Sequence, residues 1–194
     1  MRARIGQMFL VVVAVYAVLA LSTARADEYL DTVDLFKGAG QSRAYFDASY
    51  GYAVFPTVGK AGLGVGGAYG KGRVFQQGRY VGDTSMTQLS VGFQAGGQAY
   101  SQIVFFQDAR ALSEFTSGAY EFSADIGAVA ITAAASAHAG STGAAAGASG
   151  GKKDAATTGK YHKGMAVFTI AKGGAMYEAS VAGQKFSYKP VKGG

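Results

Sequence analysis

The sequence predicts an α+β fold in which a curved, Gly-rich antiparallel sheet or partial barrel carries a few short helices. Three observations lead to this prediction. Apolar and polar residues alternate through much of residues 50–106, which is the pattern of half-buried strands. Glycine supplies 30 of the 194 residues, and glycines inside strands favour bulges and sharp curvature. The segments with helical spacing are short and flank these strands.

The first 26 residues have the order of a secretory signal peptide. Arg2 and Arg4 precede an apolar run over residues 8–21, and Ala-Arg-Ala follows at 24–26. The run is shorter than the ~20 apolar residues that span a bilayer. We therefore expect cleavage before Asp27 and export to the periplasm or the extracellular medium.

Residues 27–194 are expected to form a single domain, because a chain of this length can bury one sizeable core. The sequence contains no cysteine, so packing and hydrogen bonds must hold an exported fold without disulfides or thiolate metal sites. The composition over about residues 140–160 is dominated by Ala, Gly, Ser and Thr. That composition predicts a flexible segment within the domain.

The N-terminal part of this domain has a helical pattern. Leu30, Val33 and Phe36 recur at helix-compatible spacing within residues 28–48, and two glycines interrupt the pattern. The segment therefore predicts one or two short helices.

The central part predicts strands joined by turns. The alternation is clearest over residues 88–95, where Leu89 and three further apolar residues separate polar or small ones. Gln77-Gly78 and Gly96-Gly97 are turn signals that divide the region into hairpins.

Helix signals return after the strands. Asp108 is placed as an N-cap for a helix that carries Leu112 and Phe115 on one face and ends before Gly118. A short Ala-rich helix is predicted around Ile131–Ala139.

The C-terminal part predicts strands that complete the sheet. Met165–Ile170 and Ala175–Val181 flank Lys172-Gly173-Gly174 as a hairpin, and Lys185–Tyr188 supplies a final strand.

The charge distribution is uneven. The formal charge is +6 and falls to +3 when the three arginines of the signal segment are removed. A basic C-terminal part forms either an ordinary solvated face or an anion-binding surface, and nucleic acid is not an expected partner of an exported chain. From residue 152 onward, two acidic residues (Asp154, Glu178) accompany eight lysines: Lys152, Lys153, Lys160, Lys163, Lys172, Lys185, Lys189 and Lys192.

A Gly-rich stretch superficially resembles a nucleotide-binding loop. Gly62–Gly67 satisfies the G-x-G-x-x-G spacing, but that motif must lead into a helix whose N-terminus faces the phosphates. Here the chain continues into residues 68–73, which have the pattern of a strand and a turn. Gly70-Lys71 also lacks the Ser or Thr of a Walker A motif. No cofactor is expected.

Metal-binding and catalytic constellations are not found in the sequence either. His138 and His162 have no carboxylate at ligand spacing, so no metal site is expected. No serine has the strand-to-helix context of an exposed nucleophile. The sequence therefore predicts no enzyme, and four separated aspartates are interpreted as turn or cap residues: Asp47, Asp83, Asp108 and Asp125.

Several ordered blocks strongly resemble the SYLF domain, a family of bacteria and eukaryotes. The resemblance covers most of the chain after the signal segment, about Leu30–Tyr188. It is carried by Tyr50–Pro56 running into Gly62–Gly72, by Val91–Tyr100, by Ile103–Phe106 and by Phe168–Gly174.

The resemblance implies lipid binding without catalysis. Eukaryotic members bind phosphoinositide membranes with the help of an N-terminal amphipathic helix, and some yeast members bind actin, a cytoplasmic partner that an exported chain would not meet. The N-terminal helix predicted here has only Lys37 and Arg43 as cations against four carboxylates. We therefore expect binding to anionic phospholipid that does not depend on this helix.

Candidate lipid-binding residues are basic and lie near the Gly-rich strands or the flexible segment. The lipid could be met at a membrane surface, or one acyl chain could enter an apolar pocket of the sheet. Two alternatives from other classes stay open: a protein-interaction or structural module of the cell envelope, and an integral outer-membrane β-barrel. The candidates are Lys60, Lys71, Arg73, Lys152, Lys153, Lys160 and Lys163.

Overall fold

A computed structural model describes residues 28–92, 97–123, 128–131, 161–172 and 181–191. Helix α1 covers residues 28–38, and α2 covers Gly40–Ala48. A third helix, α3, covers Ala109–Phe115. The strands are β1 (Gly51–Gln76), β2 (Arg79–Gly92), β3 (Gly97–Phe106), β4 (Tyr120–Glu121), β5 (Ala128–Ile131), β6 (Met165–Lys172) and β7 (Lys185–Pro190).

The described strands form one sheet in the order β4-β7-β2-β1-β3-β6-β5. All neighbours are antiparallel except β5 and β6, which are parallel. The first half of β1 pairs with β3, from Gly51 with Phe106 to Ala61 with Gly97. Its second half pairs with β2. The sheet curls into a half-barrel, which confirms the predicted α+β class with a curved Gly-rich sheet.

Glycines allow the two halves of β1 to approach each other inside the curl. A Cβ atom on Gly72 would lie 2.6 Å from the Phe55 ring and 2.8 Å from the Val54 carbonyl oxygen. A Cβ on Gly70 would lie 2.8 Å from a methyl carbon of Val58. Real Cβ atoms do not come so close to other heavy atoms. A side chain at either glycine would therefore push the two halves apart and open the curl.

The inner side of the sheet holds one apolar core, closed by α3. Ala111, Leu112 and Phe115 of α3 are buried in it. The aromatic ring of Phe186 from β7 lies 4.8 Å from the ring of Phe115 and 5.8 Å from that of Phe55. Strands at both ends of the curl thus contribute to the same core.

A second cluster lies on the outer side of the sheet, where the first half of β1 pairs with β3 and β3 pairs with β6. Helices α1 and α2 pack on these strands. Phe105 is its centre, with ring centroids of Phe46 at 4.9 Å, Tyr45 at 5.4 Å and Phe168 at 5.8 Å. We call this cluster the helix-covered layer. Its buried residues are Val33, Phe36, Ala39, Val54, Ile103, Phe105, Ala166, Phe168 and Ile170.

A pair of buried amides joins β3 to the residue before β7 across the inside of the curl. Gln102 of β3 donates to Gln184 at 2.8 Å, and Gln184 donates back at 3.0 Å. Gln184 also donates to the Tyr100 hydroxyl at 3.3 Å. Burial raises the pKa of Tyr100 to about 12. Because both amides are fully buried, each satisfies the other in place of water.

Several predicted elements are confirmed. Two helices do form from residues 28–48, although Leu30 is 58% exposed while Val33 and Phe36 are buried. The Gln77-Gly78 turn joins β1 to β2, and both of its residues have positive φ. Residues 62–73 lie within β1, so the Gly-rich stretch is strand, as expected.

The cap of α3 is confirmed in detail, as are two C-terminal strands. Asp108 accepts a hydrogen bond from the Ala111 backbone N–H at 2.8 Å, and the predicted strands at Met165 and Lys185 are β6 and β7.

Other predictions are wrong or fall elsewhere. Asp47 lies within α2 and Asp83 within β2, rather than in a turn or cap. Ile131 ends β5 rather than starting a helix. Leu89 is 87% exposed while Gln88 is buried, because the Gln88 side chain donates to the Ala182 carbonyl at 2.8 Å. The remaining predictions for residues 1–27, 93–96, 124–127, 132–160, 173–180 and 192–194 lie outside the described residues.

Candidate functional site

An exposed polar surface lies on the outer side of the sheet where the second half of β1 pairs with β2 and β2 pairs with β7, within the described part of the chain. There, side chains of β1, β2 and β7 point away from the inner core. We call this surface the open face. It consists of Tyr69, Lys71, Arg73, Asp83, Ser85, Thr87, Leu89, Lys185, Ser187 and Lys189.

Strand alternation explains why these residues point outward. In β7, Phe186 is buried in the inner core, so its neighbours Lys185 and Ser187 point to the other side. In β2, Thr84 and Met86 are buried in the same way. The period of two places every second residue of each strand on the open face.

The strand register sets the residues in cross-strand rows. One row runs Arg73, Asp83, Lys189, and the next runs Lys71, Ser85, Ser187. The hydroxyl oxygens of Ser85 and Ser187 lie 2.7 Å apart. A third row runs Tyr69, Thr87, Lys185, and Leu89 lies beyond it opposite Gly67. With ~4.8 Å between strands and ~7 Å between rows, the open face measures about 10 by 20 Å.

Cations outnumber carboxylates on this surface. Lys185 lies 3.5 Å from Glu121 of the edge strand β4, and Arg73 lies 4.0 Å from Asp83. Lys71 and Lys189 have no carboxylate within ion-pair distance among the described residues. Their positive charges are therefore available to an external anion.

Two large apolar side chains are exposed on the same surface. Leu89 is 87% exposed and Tyr69 is 50% exposed. Tyr69 lies in the row next to Lys71, and Leu89 lies one row further along. Basic and apolar groups therefore share one face, which is the combination that a membrane surface binds.

Arg73 marks the border between the open face and the helix-covered layer. Its guanidinium lies 4.3 Å from the Tyr29 ring centroid of α1 and 5.2 Å from that of Tyr80. The Tyr80 hydroxyl donates to Asp83 at 2.7 Å. Desolvation, followed by this hydrogen bond, raises the pKa of Tyr80 to about 12. Arg73 therefore attaches the start of α1 to the sheet.

The predicted lipid-binding residues do not all come together. Lys71 and Arg73 lie on the open face. Lys60 follows the buried Val58 by two residues, which places it on the inner side of the sheet. Lys163 lies in a turn before β6, with its Nζ 3.2 Å from the Ser123 hydroxyl. The other three candidates, Lys152, Lys153 and Lys160, lie outside the described residues.

Sequence reasoning missed Lys185 and Lys189 as members of this surface. The signal was present: Lys185, Ser187 and Lys189 alternate with Phe186 and Tyr188, so the lysines share one side of a strand. Which surface that side belongs to depends on the pairing of β7 with β2, which local patterns do not specify.

The described residues contain no group of three or more His, Asp or Glu side chains able to hold a metal ion. In the same part of the chain, no helix has the length and apolar character needed to cross a membrane.

Comparison with known proteins gives a distant relationship. No family model matches the chain. Beta cell expansion factor A of Aeromonas veronii is 28% identical over 165 residues, which cover 79% of this chain and 51% of that protein. The chain thus spans about half the length of the curated relative that it matches. We conclude that this chain is a distant homologue of Beta cell expansion factor A.

Proposed function

We propose that this chain is an exported, non-enzymatic domain of the SYLF family that associates peripherally with anionic phospholipid in the cell envelope. The observation that carries the proposal is the open face, where Lys71 and Lys189 lack carboxylate partners in the described structure and Tyr69 and Leu89 are exposed. The Gly-rich sequence blocks and the curled sheet support the family assignment.

The expected binding free energy combines two contributions. Each lysine near an anionic membrane surface contributes about 1 kcal/mol. Insertion of an exposed leucine such as Leu89 adds roughly 1.5–3 kcal/mol when its side chain becomes fully buried. A few such contacts suffice for reversible attachment at the surface.

Surface docking is favoured over capture of an acyl chain. The described inner core is filled by large side chains, including Phe55, Phe106 and Phe115, all of them fully buried. The buried amide pair of Gln102 and Gln184 occupies the space between β3 and the start of β7. An acyl chain would have to displace these groups, whereas the open face needs no rearrangement.

Cosedimentation of residues 27–194 with neutral and with anionic liposomes, at low and high salt, tests the proposal. We expect binding that requires anionic lipid and weakens as salt screens the charges. Lys71→Gln combined with Lys189→Gln should reduce binding by ~10-fold or more, from about 1 kcal/mol for each lysine. Lys163→Gln is the matched control, since this lysine is exposed but lies away from the open face.

Two outcomes would contradict the proposal. Equal loss of binding in the Lys163→Gln control would show that lipid binding does not depend on the open face. Absence of binding to both kinds of liposome would overturn lipid binding altogether and would favour a protein partner in the envelope. Leu89→Ser tests the apolar contribution separately, and it should weaken binding even at high salt.

A further inference from the structure

A surface pocket of about 350 Å³ lies where α1 gives way to α2, in the helix layer rather than on the open face. Both helices contribute to its wall, and its lining combines two cations, one carboxylate and one aromatic ring. The lining residues are Lys37, Gly38, Arg43, Phe46 and Asp47.

The walls of the pocket are anchored to the core. The buried Ser42 hydroxyl donates to the Phe36 carbonyl at 2.5 Å, and so ties α2 to the end of α1. The Phe46 ring lies 4.9 Å from Phe105 and 5.3 Å from Tyr52, in edge contacts with both. The aromatic side of the pocket is therefore part of the helix-covered layer and is pre-organised for a ligand.

The charges around the pocket are only partly satisfied within the chain. Lys37 lies 3.5 Å from Asp34 and 5.7 Å from the Phe46 ring centroid. Arg43 and Asp47 are four residues apart on α2, yet neither has an ion-pair partner among the described residues. One pocket thus presents an available cation and an available anion.

Charge complementarity selects a ligand that carries both signs. A simple anion would meet Arg43 and Lys37 but would be repelled by Asp47. A simple cation would meet Asp47 and the Phe46 ring but would be repelled by the two basic groups. A ligand with an anionic end and an ammonium end satisfies Lys37, Arg43 and Asp47 together.

We infer that this pocket binds a phosphorylated amino alcohol, the class of phosphoethanolamine. Its phosphate lies against Arg43 and Lys37, since two cations match a phosphate better than the single charge of a carboxylate. Its ammonium group lies against Asp47, while the Phe46 ring is already faced by Lys37 and forms the apolar wall beside it. The free compound is a phosphate monoester with close to two negative charges, whereas the phosphodiester of a phospholipid headgroup carries one. Both sources join an anionic phosphate to an ammonium group, and only the headgroup source rests on the proposed lipid-binding function.

Calorimetric titration of the purified protein with phosphoethanolamine tests the inference. We expect saturable binding, with inorganic phosphate and ethanolamine each weaker by about tenfold or more, since each lacks one of the two charged contacts. Arg43→Gln and Asp47→Asn should each weaken phosphoethanolamine by about tenfold. Inorganic phosphate as tight as phosphoethanolamine would overturn the zwitterion assignment, and no heat of binding with any of the three would overturn the site.

A blocking variant tests the location. A Cβ on Gly38 would meet no atom within 4 Å, so Gly38→Leu can place a side chain at the pocket without a clash. Gly40→Leu is the matched control, because Gly40 is equally unobstructed but does not line the pocket. Binding should be lost in the first variant and kept in the second. Binding retained in Gly38→Leu would place the ligand elsewhere.

The two sources and the two proposals are separated by one further comparison. If the headgroup is the ligand, Arg43→Gln reduces binding to anionic vesicles that contain phosphatidylethanolamine as well as to the soluble compound. If only soluble binding falls, the ligand is the free zwitterion. Lys71→Gln with Lys189→Gln should leave soluble phosphoethanolamine binding unchanged, so failure of the open face does not remove this pocket.

Discussion

The outer side of β1 is covered in its first half and exposed in its second, although one continuous strand makes both. In the first half, Tyr52 and Val54 pack under α1 and α2. In the second half, Tyr69 and Lys71 are exposed. On the inner side of the strand, Phe55 in the first half and Val74 in the second are both buried. The inner face of β1 therefore stabilises the fold in both halves. The outer face stabilises it in the first half and is available for binding in the second.

The largest expected effect contrasts one residue from each half. Phe105→Ala should lower the free energy of unfolding by about 3–5 kcal/mol, because it removes the central ring of the helix-covered layer and leaves a cavity. Leu89→Ala on the open face should change it by less than about 0.5 kcal/mol. Urea unfolding of both variants measures the contrast. Similar losses in the two variants would mean that the open face is packed against something in solution.

The buried amide pair of Gln102 and Gln184 tests how much the contact between β3 and the start of β7 contributes to stability. Gln184→Ala should cost about 1–3 kcal/mol of unfolding free energy, because it leaves the buried Gln102 amide without its partner. Replacing both residues with leucine should recover part of that loss, since no amide is then left unsatisfied and only the Tyr100 hydroxyl loses a hydrogen-bond partner. A double variant no more stable than Gln184→Ala would contradict this account.

Stability should also fall at high pH. Tyr100 titrates near 12 in the folded protein and near its ordinary value of 10.0 in the unfolded chain. Its contribution is therefore fully present below pH 10 and is lost as the pH rises toward 12. Between pH 9 and pH 11, Tyr100 should account for a loss on the order of 1 kcal/mol. Urea unfolding of Tyr100→Phe should show a shallower decline, and an unchanged slope would contradict the assignment.

The smallest expected effect lies at the border between the two halves. Arg73→Gln should lower the free energy of unfolding by roughly 0.5–1 kcal/mol, through loss of the cation–π contacts with Tyr29 and Tyr80. Amide hydrogen exchange in residues 28–38 should speed up, because α1 loses an attachment. Lys71→Gln, two residues away on the same face, should leave both measurements unchanged. Equal changes in Arg73→Gln and Lys71→Gln would show that stability depends on the total charge of this face rather than on the contact of Arg73 with α1.

Local signals were sufficient for much of the fold. Asp108 was predictable as a cap because a carboxylate before an apolar helix has few other roles. Gln77-Gly78 was predictable as a turn because a glycine at positive φ joins the two strands there. The curvature followed from the number of glycines in strands, and Gly70 and Gly72 are two places where that curvature is made.

The exposed side of a strand could not be predicted locally. Gln88 and Leu89 exchange their expected environments because a carbonyl from Ala182, far along the chain, receives the Gln88 amide. For the same reason Lys71 was identified without Lys185 and Lys189, which reach the same face only through the pairing of β2 with β7. The alternation of residues indicates that a strand has two different sides. Which of them is buried depends on the strands and loops that pair with it in the folded protein.

The pairing of β2 with β7 also constrains how the chain can fold. Thr84 of β2 pairs with Tyr188 of β7, so these two strands join residues about a hundred positions apart in the sequence. Such a contact forms late, since closing a long loop costs entropy before any contact repays it. Phe186 enters the core only with β7. During synthesis the inner apolar surface therefore stays exposed until β7 is available to pair with β2, and aggregation or chaperone binding would occur in this interval.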